Sequence, residues 1–326
     1  MAQDFTMFVG TVGGGLNVSS DGGSSWNQIR SPVPTESNVR AVTVYPNNPS
    51  RVIAGTDVGV FRSEDQGETW EQLDTPIDGI HIWTITVDPV DPNILFAGTR
   101  PGVFRSKDDG NTWEELPVNV NMNGPIDPPR TTTVLVDPRD HQTVWAGVEV
   151  AGLYRSKDGG DSWTALANVG PQLMYDDIHG LAIRPGDPTL VYSTSPFGLA
   201  ISTDEGDSWD HHKFPSFDPG GSSYCRNILV RPDNPDVMFV GNGNGIPGVT
   251  GAIRRTVDGG ATWDTPELPV TPNSVVYCFS AHVDVPDCVA AASIYGYIYL
   301  SDDGGGTWRK LEREFGEIRA VAISPN

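Results

Sequence analysis

Apolar and β-branched residues along this chain fall in short runs, four to seven residues long, separated by Gly, Pro, Asp and Asn. One stretch shows the scheme. Arg40-Ala-Val-Thr-Val-Tyr-Pro46, Arg51-Val-Ile-Ala-Gly-Thr56, Gly59-Val-Phe-Arg-Ser63 and Trp70-Glu-Gln-Leu73 follow one another, each bounded by turn residues. This patterning predicts four consecutive β-strands, the first fully interior. No segment keeps a helical period.

Between the third and fourth strands lies an eight-residue motif, [S/T]-x-D-x-G-x-[S/T]-W. It occurs seven times, ending at Trp26, Trp70, Trp113, Trp163, Trp209, Trp263 and Trp308. Its chemistry predicts a tight turn. The Asp (Asp21, Asp65, Asp108, Asp158, Asp204, Asp258, Asp303) accepts backbone N–H groups of its own turn, and the invariant Gly supplies a positive φ. The second Ser or Thr completes the carboxylate, and the Trp carries apolar area into the core. Seven copies favour a structural role over seven catalytic or metal sites.

Successive motif tryptophans stand 44, 43, 50, 46, 54 and 45 residues apart. A period near 45 with four short strands per unit predicts one β-propeller blade per repeat. Phe5–Thr11 matches a second strand and Ile318–Pro325 a first strand, and the wrap-around distance from Trp308 to Trp26 is again 44. The expected fold is therefore all-β: a single seven-bladed propeller over residues 1–326, its closing blade formed by about 317–325 plus 5–30. Closure removes exposed sheet edges.

On these motifs the chain resembles the BNR or Asp-box propellers, which include sialidases, xyloglucan-active glycosidases, sortilin-type receptors and photosystem II assembly factors. The resemblance covers essentially the whole chain and implies the fold; fold alone does not assign chemistry.

Composition narrows the partners. A net charge of −21 and a pI near 4.4 exclude nucleic acid and anionic membranes as expected partners. Only four of the 21 basic residues are Lys and the acids are mostly Asp, a solvated shell suited to a high-salt cytoplasm. Cys225, Cys278 and Cys288 are expected as free core thiols, although the first and second fall on neighbouring inner strands where a disulfide is conceivable. No apolar run is long enough to span a bilayer. Residues 1–10 lack a charged segment followed by an apolar one, so the chain as written is expected in the cytoplasm; an extracellular location is expected if a leader has been trimmed. A monomer without cofactor is expected.

Variation is one-sided. The turn after each inner strand keeps its length, as in Pro46–Pro49 and Pro89–Pro92, and so does the Asp-box turn. Insertions collect in the other two turns: the links Pro117–Arg130, Leu166–Ile178 and Asp210–Tyr224, and the turn Gly241–Gly251. Aligned on the proline turn, one inner-strand position reads Arg40, Trp83, Thr132, His179, Arg226, Tyr277 and Arg319; two residues earlier come His81, Arg130, Asp177, Tyr224, Val275 and Glu317. These positions are expected to ring the mouth of the central channel on the inserted face.

Arginines concentrated in an acidic protein point to an anionic ligand: a small molecule, an acidic glycan or an acidic peptide segment. The competing reading ties them up with Asp177, Glu149 or Glu317. Resemblance to sialidases implies that Arg40, Arg226 and Arg319 hold a carboxylate, with Tyr277 as nucleophile and Asp177 or Glu149 for proton transfer. Sialidases, however, have six blades and an Arg-Ile-Pro start that is absent here, and the xyloglucan-active enzymes use two propellers. A lyase-like reaction through His179 or Tyr277 is equally open, as is a non-catalytic assembly factor. Trp83, Tyr224, Arg130 and His81 complete the expected binding set. No zinc-type spacing occurs and no metal is expected; the alternative metal set is His81, His179 and Asp177.

Overall fold

The computed structural model describes residues 5–120 and 125–326. Among them 27 strands form seven antiparallel sheets, and the one helical element is a 3-10 turn, Leu173–Tyr175. The inner strands are Ala41–Tyr45, Ile82–Val87, Thr131–Asp137, Gly180–Arg184, Tyr224–Val230, Val276–Ala281 and Ile318–Pro325. The protein is thus a seven-bladed propeller. In the sixth blade the outermost strand shrinks to a single bridge, Arg255 with Asp264. Ile318–Pro325 pairs antiparallel with Phe5–Thr11 along its whole length, so both ends of the chain share the closing blade.

The Asp boxes close as their residue types require. In the second blade Thr69 donates its N–H to Asp65 Oδ1 (2.8 Å) and its hydroxyl to Oδ2 (2.5 Å), while Ser63 Oγ donates to Oδ1 (2.9 Å). Ser63 Oγ also accepts the N–H of Gly67 (2.8 Å), a role for the motif's first residue that the sequence reading had left blank. The invariant Gly67 sits at φ 89°. The residue before it is also left-handed, even where it is Gln66, Asp109 or Glu205. The box therefore makes two successive left-handed residues, where one was expected. Trp70 donates its indole N–H to Gly67 O (3.1 Å) and packs edge-on against Phe8 of the closing blade. Trp70, Trp113 and Trp308 are buried, whereas Trp163 is only partly so.

The boxes also join blades. Arg62, one residue before its own box, donates to the backbone carbonyl of left-handed Asp109 in the next blade (2.8 Å), and Arg255 does the same to Gly305 (3.0 Å). Inward, glycines of the second strands let neighbouring inner strands approach. A Cβ on Gly98 would lie 2.6 Å from Thr131 O, and one on Gly241 2.1 Å from Val276 O.

The predicted loop boundaries move slightly. Asp210–His212 is an outer strand rather than the start of a link, and the strands around the 241–251 turn extend to Gly243 and resume at Gly251. Part of the Pro117–Arg130 link, 121–124, lies outside the described residues.

Candidate functional site

The seven aligned inner-strand residues do meet. Arg40, Trp83, Thr132, His179, Arg226, Tyr277 and Arg319 all line one axial cavity of about 250 Å³. A backbone device aims them. The sheet register slips between Ile82 and Thr84, Thr131 and Thr133, Cys225 and Ile228, Val276 and Cys278, and opposite Ile318 and Ala320. Five of the seven ring residues (Trp83, Thr132, Arg226, Tyr277, Arg319) are thus at β-bulges, which release a side chain from the sheet's alternation and re-aim it. No sequence signal marked these bulges.

Two arginine–aromatic groups fill the mouth. The guanidiniums of Arg226 and Arg319 lie 4.8 and 4.6 Å from the Tyr277 ring centre, and those of Arg40 and Arg130 lie 4.7 and 5.2 Å from the Trp83 ring centre. Arg226 is 5% exposed, donates to the Tyr277 hydroxyl (2.9 Å) and to Glu149 Oε1 (3.3 Å), and Arg130 donates to Glu149 Oε2 (2.7 Å). Arg319 is held by Glu317 through its Nε (2.6 Å). Three of the four arginines are therefore paired with a carboxylate. Arg40 differs: its buried Nε and Nη1 have no hydrogen-bond partner among the described residues.

Electrostatics follow from these contacts. Burial alone would raise the Tyr277 phenol, but Arg226 and Arg319 outweigh it and pull it below the ordinary tyrosine value. Burial, seconded by repulsion from Arg319, lowers Arg40. For Arg226 burial works against the charge, yet Tyr277, Tyr224 and Glu149 prevail and raise it.

Within the ring, His179 Nδ1 meets Cys225 O (2.7 Å), while its Nε2 faces Asp177 Oδ2 (3.3 Å) and the Tyr224 hydroxyl (3.5 Å). Glu149 completes a buried trio with Asp177 and His179. It arrives from a turn in the fourth blade, where Val150 is left-handed at φ 57°, a strained conformation for a β-branched residue.

Other expected residues fall elsewhere. His81 is exposed and lies outside the cavity lining and the buried trio, so the set His81, His179 and Asp177 does not assemble; burial and Arg40 lower its pKa. Val275 is core, fully buried. Thr132 donates its hydroxyl to Ile178 O (2.6 Å) and serves the scaffold. All three cysteines are free and buried, and burial pushes each thiol up to about 12.

Residues 299–310 match the BNR/Asp-box repeat. The chain is an Asp-box propeller. Residues 58–176 of this propeller match the family described as "Sortilin, neurotensin receptor 3". A probable oligoxyloglucan-reducing end-specific xyloglucanase of Neosartorya fischeri is 26% identical over 308 residues, covering 80% of this chain and 32% of that protein. Xyloglucanase Xgh74A of Acetivibrio thermocellus is 27% identical over 218 residues, covering 55% and 25%. The Asp-box propeller thus spans about a quarter to a third of the length of these two relatives. Among solved structures, the GH74 xyloglucanase from Xanthomonas campestris superposes with a TM-score of 0.69 at 18% identity, covering 94% of this chain and 52% of that one. YCF48 from Cyanidioschyzon merolae gives 0.63 at 16%, covering 90% and 97%. A further YCF48 structure, bound to D1 peptide, gives 0.56 at 17%, covering 85% and 83%.

Proposed function

We propose that the channel mouth binds an acidic sugar or a related carboxylate, and that Tyr277 carries out proton transfer on it in a lyase- or hydrolase-like reaction. The supporting observation is Arg40. A guanidinium with two buried, unpartnered N–H groups beside a second arginine is costly unless an anion arrives to accept them. Arg40 and Arg319 hold the carboxylate. Their charge acidifies the adjacent C–H, and Tyr277, acting as the phenolate that Arg226 and Arg319 favour, takes that proton. In the lyase form the C–H electron pair becomes a C=C bond as the C–O bond on the next carbon breaks, and the phenol so formed gives its proton to the leaving oxygen. The xyloglucanase relatives favour a glycan substrate class. The test is thermal stabilisation and calorimetry with uronate oligomers, acidic sugars and phosphorylated metabolites, with a xyloglucan oligosaccharide as comparator. Saturable binding lost in Arg40→Ala is expected; binding unchanged by that substitution would sink the proposal. Product analysis then separates an unsaturated uronate from a hydrolysed one.

A second reading has one observation in its favour: this chain and YCF48 cover one another almost completely, and one such propeller is solved with a peptide. On that reading the same arginines dock a peptide carboxylate without turnover, and acidic peptides would bind where sugars do not.

A further inference from the structure

At the edge of the arginine mouth, three donor groups converge. Glu149, Asp177 and His179 each offer a donor atom within 4.8 Å of the other two, and all three are buried. The histidine is oriented from behind. Its Nδ1 lies 2.7 Å from the carbonyl of Cys225, which can only accept, so Nδ1 carries a proton and the Nε2 lone pair of the neutral ring is aimed at Asp177. Nε2 also meets the Tyr224 hydroxyl at 3.5 Å, but the lone pair and the carboxylate oxygen facing it repel each other unless a proton or a cation lies between them.

A proton or a metal ion between them would satisfy both. A charge-assisted N–H···O bond draws its atoms to about 2.7–2.9 Å. Two ligands on one ion, each bonded at about 2.0–2.2 Å, stand about 3.0–3.4 Å apart. Nε2 and Asp177 Oδ2 are separated by 3.3 Å, longer than that bond and open to two ligands of one ion. A second observation is independent of the first. Asp177 is 7% exposed, and its other oxygen, Oδ1, has no hydrogen-bond partner among the described residues. A buried carboxylate oxygen left unpaired is expensive.

We infer that Glu149, Asp177 and the Nε2 of His179 form a binding site for one divalent transition-metal ion. One imidazole with two carboxylates suits Zn²⁺ or Mn²⁺ better than Ca²⁺, which prefers oxygen alone. Both oxygens of Glu149 already accept from arginine, Oε1 from Arg226 and Oε2 from Arg130, but each oxygen keeps a second lone pair for an ion. Those guanidiniums weaken the site without closing it. Since Arg226 also lines the axial cavity, Glu149 links the ion to the ring. Of the alternative set, His179 and Asp177 remain, with Glu149 in the place of His81.

The inference does not rest on the anion reading, and one set of measurements separates them. Metal-stripped protein is titrated with Zn²⁺ and, separately, Mn²⁺ by calorimetry and thermal melting, with Mg²⁺ and Ca²⁺ as comparators. The expected result is one equivalent bound saturably, with a rise in Tm. Asp177→Asn should weaken binding by more than the roughly 10–100-fold that a lost outer-shell partner costs, while Arg40→Ala binds the ion like the wild type. Should Asp177→Asn fail to fold, His179→Gln takes its place, and the wild-type titration stands by itself. Absence of saturable binding by either ion overturns the site; so does binding that neither variant weakens, since it would come from exposed histidines.

Discussion

A single carboxylate explains why the Asp box tolerates so little change. Asp158 is held down to about 2 by the Ser162 hydroxyl, the Ser162 N–H and Ser156, and Asp21, Asp204, Asp258 and Asp303 are held as low by equivalent partners. Folded values below the ordinary 3.8 mean that this stabilisation is complete above pH 4 and drains away as pH falls towards 2. Unfolding followed by circular dichroism should therefore begin below pH 4, with all boxes contributing together. The box tryptophans are less uniform than their motif. Trp70→Ala should cost about 3–5 kcal/mol by chemical denaturation, and the partly exposed Trp163 less. The arginines of the mouth divide likewise. Arg226 stands in the sequence as one of the expected ligand-holding arginines. It is buried against Glu149 and Tyr277, so removing it leaves Glu149 with Arg130 alone and the Tyr277 hydroxyl without its donor, and Arg226→Ala should lower stability measurably, by about 3 kcal/mol at most. Arg40→Ala, which breaks no hydrogen bond at Nε or Nη1, should leave Tm nearly unchanged.

At the scale of elements, what could be read in advance was what is local. A box bonds within eight residues, so its spacing announces a turn, and the turn announces the strands on either side. The constant proline turn sets the register of every inner strand, which is why the seven ring residues, Tyr277 included, were found by counting. The bulges were not, because a slip opposite Gly98 or Gly241 depends on how closely the next blade approaches, and that spacing leaves no trace in one strand's own residues. Glu149 stood out only as a possible partner, since it reaches Arg226 from a turn two blades away. The same locality bears on closure. Removing 318–326 strips the inner strand from the closing blade and bares the edge of Phe5–Thr11, so the shortened chain should aggregate in size-exclusion chromatography where the full chain elutes cleanly.

For the whole molecule, sidedness and charge set the terms. One face presents uniform boxes and proline turns; the other gathers the inserted links around the arginine mouth. A net charge of −21 repels itself in the folded state, so Tm should rise as sodium chloride is increased from low to moderate concentration. Binding of an anionic ligand should weaken over the same range, because the attraction at Arg40 and Arg319 is screened too. Opposite responses of stability and affinity to one variable would tie the charge of the shell to that of the mouth.

The bulges carry a last consequence. Because Trp83 and Arg319 sit where the ladder skips a rung, their side chains answer to the opening and not to the sheet. Such places can be refilled one at a time, as interchangeable seats on a fixed frame, and a library randomised there should keep its cooperative melt in most members while its ligand preferences scatter.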